Sequence, residues 1–159
     1  LLRKGGECNF RGITEQVADL AGIRIICPYI DDVYGLCRIL ETRKDLTVLR
    51  KRDYIASPKA NGYRSLHLVV EVPVSFSGVT VPLPVEIQLR TIAMDFWASL
   101  EHELRYKSEV EVSPEGEKIL NSCAEQLAEV DDQLQSLFRT HLPQQATAPW
   151  QAEAVDAHN

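Results

Sequence analysis

From Ser65 to Thr91 the chain carries two long stretches of alternating apolar and polar residues, Ser65 to Val74 and Val79 to Thr91, interrupted only around Ser77-Gly78. Alternation is the period of a strand and not of a helix, so this region predicts an antiparallel hairpin with a loose turn. A hairpin of that length must bury one face, and whatever fold the chain adopts is built on a sheet. In the second arm, Val85, Ile87 and Leu89 fall on one face and Glu86, Gln88 and Arg90 on the other. In the first arm, His67 is out of phase with Leu66, Leu68 and Val70 and joins the polar side. Such a face is either a concave, charged ligand surface or the water side of an ordinary amphipathic sheet, and alternation alone does not choose.

The rest of the chain supplies partners for that sheet. Ile13 to Leu20 reads as a short helix or turn, and Gly22 to Cys27 as a buried β-branched strand ended by Pro28. Asp31 and Asp32 are N-cap candidates for a helix of about three turns carrying Val33, Leu36, Cys37 and Leu40. Leu46 to Leu49 reads as a returning strand, and Ser57 to Gly62 as a loop. Beyond the hairpin, Ile92 to about Lys107 is predicted helical, with Ala93, Phe96, Trp97, Leu100 and Leu104 as its buried face. A last helix opens at Ser113 or Pro114, and its Leu120, Cys123, Leu127, Val130, Leu134 and Leu137 form a packing seam, along the domain or against another subunit. This order implies an α/β (α+β) fold, a mixed sheet flanked by helices with a C-terminal helix. Residues 1–107 read as the core, 108–141 as a helical packing or oligomerisation segment, and 142–159, rich in Pro, Gln and Ala, as a disordered tail.

Charge narrows the ligand. A net charge of −6 argues against a general nucleic-acid or membrane-surface binder. The bases are nevertheless concentrated: Arg43, Lys44, Arg50, Lys51, Arg52, Lys59 and Arg64 lie close together, whereas from Glu101 onward twelve acids face four bases. A local basic patch suits a compact polyanion such as a nucleotide; a solvated surface is the alternative. Cys8, Cys27, Cys37 and Cys123 have no metal-ligand spacing and read as reduced packing residues. Neither a spanning segment nor a secretory signal is evident, as expected of a cytoplasmic protein.

Chemistry concentrates in Arg52-Asp-Tyr-Ile-Ala-Ser-Pro-Lys-Ala-Asn-Gly-Tyr-Arg-Ser-Leu-His67, where bases and aromatics interleave around a Pro and Gly loop. Arg and Lys neutralise phosphates, Gly62 allows a ligand to approach the backbone, and Tyr63 offers a ring for a base to stack on. A basic surface turn with a packed tyrosine would look the same. Asp19 and Glu86 are a candidate pair for a magnesium ion, which takes few carboxylates and completes its shell with phosphate and water; Asp19 could equally cap a helix. Arg24, inside the apolar run, needs a partner.

Five motifs, Asp19-Leu-Ala-Gly-Ile-Arg24, Arg52-Asp-Tyr-Ile55, Pro58 to His67, Glu86-Ile-Gln-Leu-Arg-Thr91 and Ala93 to His102, occur in one order and together resemble the synthetase domain of the RelA/SpoT family, most of all its small alarmone synthetases. The resemblance spans about Ile13 to Lys107 and implies a nucleotidyltransferase-like fold. It also implies an enzyme that moves pyrophosphate from ATP to the ribose 3′-hydroxyl of GDP or GTP with Mg2+. By position, Asp19 resembles the metal-binding aspartate and Glu86 the strand glutamate that assists the metal and activates the hydroxyl. Arg24 resembles the arginine stacking on adenine, and Tyr63 the tyrosine stacking on guanine. Arg52, Lys59, His67 and Asn61 match groups around the acceptor and phosphates, with Gln88 and Arg90 as supports. The resemblance also implies a basic motif upstream of the first strand, which this sequence does not contain unless Arg3 and Lys4 are its tail, so this chain alone is expected to be weakly active or inactive; the family's hydrolase metal site has no counterpart in the sequence either. Homotetramers are implied by the same resemblance. A second reading keeps the fold and makes the chain a non-catalytic sensor of guanine nucleotides or single-stranded RNA, which two carboxylates beside phosphates disfavour.

Overall fold

A computed structural model describes residues 21–76, 78–107 and 112–141. Among these the elements run β1 (Ala21–Cys27), α1 (Ile30–Thr42), β2 (Thr47–Asp53), β3 (Leu66–Phe76), β4 (Val79–Thr91), α2 (Ile92–Lys107) and α3 (Pro114–His141). The four strands form one sheet in the order β1-β4-β3-β2. β4 pairs antiparallel with β3 and parallel with β1, so the sheet is mixed as expected. In the hairpin Phe76 pairs with Val79, which leaves two residues for the turn, and Gly78 takes φ +80° there.

One face of the hairpin is the core. Leu66, Leu68, Val70, Ile87 and Leu89 pack with Val33 and Cys37 of α1 and with Ile55 and Met94. Each such side chain contributes roughly 1.5–3 kcal/mol by leaving water. α1 covers this face because its apolar residues recur at helical spacing toward the sheet. Its N-cap position is Tyr29, without a side-chain cap, and not the expected Asp31 or Asp32, which lie in the first turn. Asp31 has another partner: it accepts from Gln135 Nε2 at 2.9 Å and Arg139 Nε at 2.8 Å, both on α3.

Three further expectations are corrected. Among the described residues β1 is an edge strand rather than a buried one, with β4 on one side only, and Ile23 and Ile26 are half exposed. α2 buries Met94, Trp97 and Ala98, while Phe96 (56%), Leu100 (48%) and Leu104 (52%) are exposed. The helix is turned because Trp97 and Ala98 pack on Ala124 of α3 and Met94 enters the sheet core. α3 lies along the domain through Leu120, Ala124, Leu127, Asp131 and Gln135, and leaves Cys123, Val130, Leu134 and Leu137 of the expected seam outside. Trp97 Nε1 donates to Leu120 O at 3.0 Å, and Phe138 stacks on Tyr29 with centroids 4.2 Å apart. Cys27 and Cys37 are buried free thiols. The expected helix or turn at 13–20, Cys8 and the tail at 142–159 lie outside the described residues. No described helix is long and apolar enough to cross a membrane.

Candidate active site

The sheet face opposite α1 is polar because the hairpin alternates. β4 brings Glu86, Gln88 and Arg90 to it; β3 brings His67 and β1 brings Arg24, both in register with Gln88. β2 reaches the same face through a bulge. Val48 pairs with Val70 but Arg50 with Val69, so Leu49 is an extra residue. One inserted residue exchanges the faces of everything after it. Arg50 and Arg52 are thereby turned to the polar side, Arg52 opposite His67, instead of following Val48 into the core. Lys51 and Asp53 turn to α1, where Lys51 Nζ pairs with Glu41 at 2.9 Å and the Tyr34 hydroxyl donates to Asp53 at 3.1 Å.

On that face five side chains close a ring. Buried Arg90 donates through Nη2 to Tyr63 Oη at 2.7 Å and to Gln88 Oε1 at 2.8 Å. Gln88 Nε2 donates to Glu86 Oε2 at 2.9 Å. His67 bridges the remaining gap, with Nδ1 3.1 Å from Glu86 Oε1 and Nε2 2.8 Å from Tyr63 Oη. A carboxylate only accepts, so Nδ1–H donates to Glu86; burial favours the uncharged ring, whose Nε2 then accepts from the Tyr63 hydroxyl. His67 is then neutral. Burial pushes its pKa below the ordinary value, helped by the charges of Arg90 and Lys59 and opposed by Glu86. Burial raises the Glu86 pKa, but hydrogen bonds from Gln88 and His67 and the charge of Arg50 outweigh it. Glu86 is held below its usual range and is ionised at neutral pH.

The loop between β2 and β3 delivers the aromatic and basic groups. Gly62 (φ +84°) donates to Lys59 O at 2.8 Å, and Lys59 N–H donates to Tyr63 O at 3.1 Å. Lys59 Nζ lies 4.8 Å from the Tyr54 ring centroid and 4.7 Å from that of Tyr63. Arg52 Nη1 donates to Tyr54 Oη at 3.3 Å. Asn61 is engaged within the scaffold: Oδ1 accepts from Tyr63 N–H at 3.2 Å and Nδ2 donates to Glu101 of α2 at 3.1 Å. Gly62 is needed for a reason other than ligand approach. A Cβ there would run well inside contact with the Ala124 Cβ of α3. Arg64 lines a cavity of about 250 Å³ between this loop and α3.

Asp95 belongs to this site although no motif assigns it a role. Its Oδ1 lies 3.1 Å from Arg90 Nη1 and 3.2 Å from Arg24 Nη1, so it is the partner that Arg24 required. The signal was an acid in the first turn of the helix that follows Arg90 directly. Asp19 lies outside the described residues, two positions before β1. Among the described residues no group of three or more His, Cys, Asp or Glu is gathered to hold a metal. Glu86 is partly exposed, and among the described residues each of its oxygens accepts one hydrogen bond and keeps a lone pair. One or two carboxylates with free lone pairs among cations fit a hard divalent ion whose shell is completed by phosphate and water, not a closed protein cage.

This geometry places an ionised carboxylate, a neutral imidazole, two tyrosine rings and several cations on one accessible face, a set suited to an anionic, aromatic ligand. The sequence profile of a region found in RelA/SpoT proteins matches residues 2–111. GTP pyrophosphokinase YwaC of Bacillus subtilis is 43% identical over 134 residues, 84% of this chain and 64% of that protein. The chain thus spans less than two thirds of that relative. Among solved structures, small alarmone synthetase 2 from Bacillus subtilis superposes with a TM-score of 0.79 at 41% identity, covering 88% of this chain and 72% of that one. Small alarmone synthetase 1 from the same organism, bound to its product pppGpp, gives 0.77 at 37% identity, covering 89% and 71%.

Proposed function

Because the chain belongs to the RelA/SpoT family, we propose that it transfers pyrophosphate from ATP to the ribose 3′-hydroxyl of GDP or GTP and releases AMP. The single observation that carries this reading is the ring joining ionised Glu86 to His67, Tyr63, Arg90 and Gln88 on a face lined by bases. A relative of known structure holds pppGpp, a product of such a transfer.

Glu86 is the base. As the acceptor 3′-oxygen bonds to the β-phosphorus of ATP, its proton passes to the Glu86 carboxylate, and the bond from that phosphorus to the α-phosphate oxygen breaks, with the electron pair leaving on AMP. His67 donates to the same carboxylate and holds it toward the acceptor. Tyr63 stacks on guanine, which displaces Lys59 from the ring and turns its ammonium to the phosphates. Arg52 and Lys59 bind phosphate, and Arg24 stacks on adenine. Charge accumulates on the transferred group, and cations already oriented against it stabilise the transition state without further reorganisation. Glu86 and Asp19 would hold Mg2+, which supplies charge neutralisation on the phosphates. Gln88 and Arg90 act as supports through the ring, and Asn61 through the loop. The sensor reading is not favoured, since a pure binder has no need of carboxylates beside phosphate sites, where they cost affinity unless a metal intervenes.

We place the protein in the cytoplasm as a homo-oligomer, with the apolar residues that α3 leaves exposed, Val130, Leu134 and Leu137, facing another copy. The test is incubation of the protein that carries this sequence with γ-labelled ATP, Mg2+ and GDP or GTP. Label on the acceptor with equimolar AMP supports the proposal; tight guanine-nucleotide binding without transfer overturns it in favour of the sensor.

A further inference from the structure

Arg24 stands on β1 and Tyr63 on the loop before β3, at two places the proposed function assigns to different nucleotides. One carboxylate oxygen joins them. Asp95 Oδ1 takes Arg24 Nη1 at 3.2 Å and Arg90 Nη1 at 3.1 Å, and Arg90 Nη2 reaches Tyr63 Oη at 2.7 Å and Gln88 Oε1 at 2.8 Å. From Gln88 the path ends on Glu86 Oε2 at 2.9 Å. The burial along it is graded: the Arg24 side chain is 51% exposed, Asp95 18% and Arg90 5%. Among the described residues the Nε of buried Arg90 has no partner, and Asp95 is the counter-charge of its guanidinium. Such a cation is oriented by the carboxylate that neutralises it. Arg24, half in water, is free to change partners at small cost.

We infer that Asp95 is a positioning residue that ties the donor-side arginine to the acceptor-side ring, so that the stance of Arg24 is felt at Tyr63 and Glu86. This rests on the synthetase reading of the face. A movement of Arg24 onto a purine face takes one cation from Asp95 and leaves its whole charge to Arg90, which fixes Tyr63 and Gln88 more firmly. With Asp95 neutralised, Arg90 loses its anchor and the two ends act independently. Asp95 acts in this account through the two arginines it meets among the described residues, and not on a nucleotide.

The test is a double-mutant cycle on kcat/KM between Arg24→Ala and Tyr63→Phe, run in the natural background and again with Asp95→Asn. Residues that share a network are non-additive, and independent ones multiply. In the natural background the two effects are expected to depart from multiplication by at least about fivefold, the lower end of usual coupling. In Asp95→Asn they are expected to multiply within about twofold, and Asp95→Glu, which keeps the charge, restores the departure. A residue that merely stabilises α2 would lower expression and melting temperature and leave the coupling intact. Equal coupling in Asp95→Asn and in the natural background overturns the inference while leaving the synthetase reading in place. Absence of any transfer by the natural protein overturns the reading itself, and direct binding of an ATP analogue and of GDP to the same variants then shows whether Asp95 still joins the two ends.

Discussion

Replacing Gly62 by alanine tests how the acceptor loop is held. Two costs follow from the structure. Gly62 has φ +84°, where a side chain costs roughly 1–2 kcal/mol. The new methyl would also overlap the Ala124 Cβ of α3, and forcing a methyl into a packed contact costs about 1–3 kcal/mol. Gly62→Ala is therefore expected to lose about 2–5 kcal/mol, read as a lower urea midpoint at unchanged slope. Ala124→Gly separates the two contributions. Alone it costs about 1 kcal/mol as a glycine inside a helix, but in the double variant it removes the overlap and returns about 1–3 kcal/mol of the Gly62→Ala loss. The loop carries Lys59 and Tyr63, so the acceptor KM rises in Gly62→Ala and falls back in the double variant. A loss below about 1 kcal/mol, or strict additivity with Ala124→Gly, would refute the claim that α3 braces this loop.

Other consequences are nearer the chemistry. Tyr63→Phe keeps the ring and removes the hydroxyl that meets Arg90 and His67. A hydrogen bond to a charged group is worth about 1.5–3 kcal/mol, so kcat is expected to fall roughly 10- to 150-fold with a smaller change in acceptor KM, read by steady-state kinetics. Thr91→Val removes a hydroxyl that donates to buried Asp131 at 2.7 Å and accepts from Met94 N–H at 3.1 Å. Loss of a cap, about 1 kcal/mol, plus an unpaired buried carboxylate, about 1–3 kcal/mol, predicts a drop of about 2–4 kcal/mol in denaturant unfolding. For pH, the depressed His67 pKa means that the unfolded chain takes up its proton first as pH falls. The stability from neutral His67 is complete above about 6.5 and declines below it, toward the lower folded value. Glu86, also depressed, contributes above its unfolded value and loses that contribution at more acidic pH. His67→Asn should flatten the first slope between pH 8 and 5, and an unchanged slope would exclude His67 as its source.

How much of this was legible in the sequence follows from which residues depend only on their neighbours. The hairpin and its polar face were readable because alternation depends on nothing beyond local period, and Glu86, Gln88, Arg90 and His67 do share one surface. The α1 helix is legible in its own helical spacing, and the strand after it only in its first half, since the reading stops at Leu49 whereas β2 runs Thr47–Asp53. The placement of Arg50 and Arg52 was not, because it depends on the bulge at Leu49. The faces that α2 and α3 bury differ from their apolar stripes for a related reason. Periodicity finds apolar stripes, and each helix carries more apolar surface than the domain can cover, so packing between Trp97 and Ala124 selected the inner face. Asp131 and Gln135, which a seam of leucines conceals, turned out to be the buried contacts of α3 to Thr91 and Asp31. Asp95 was hidden because its meaning is tertiary, two arginines from different strands meeting on one oxygen.

The measurement that most directly tests the central claim is pyrophosphate transfer by Glu86→Gln, with binding of GDP and of an ATP analogue measured on the same preparation. The substitution keeps size and hydrogen-bonding reach and removes the charge and the base. The account predicts binding of both nucleotides within a few-fold of the unmodified protein and transfer reduced by at least about 100-fold, the usual share of a general base. Transfer within about tenfold of the unmodified protein, with binding intact, would contradict it and move the base elsewhere on this face.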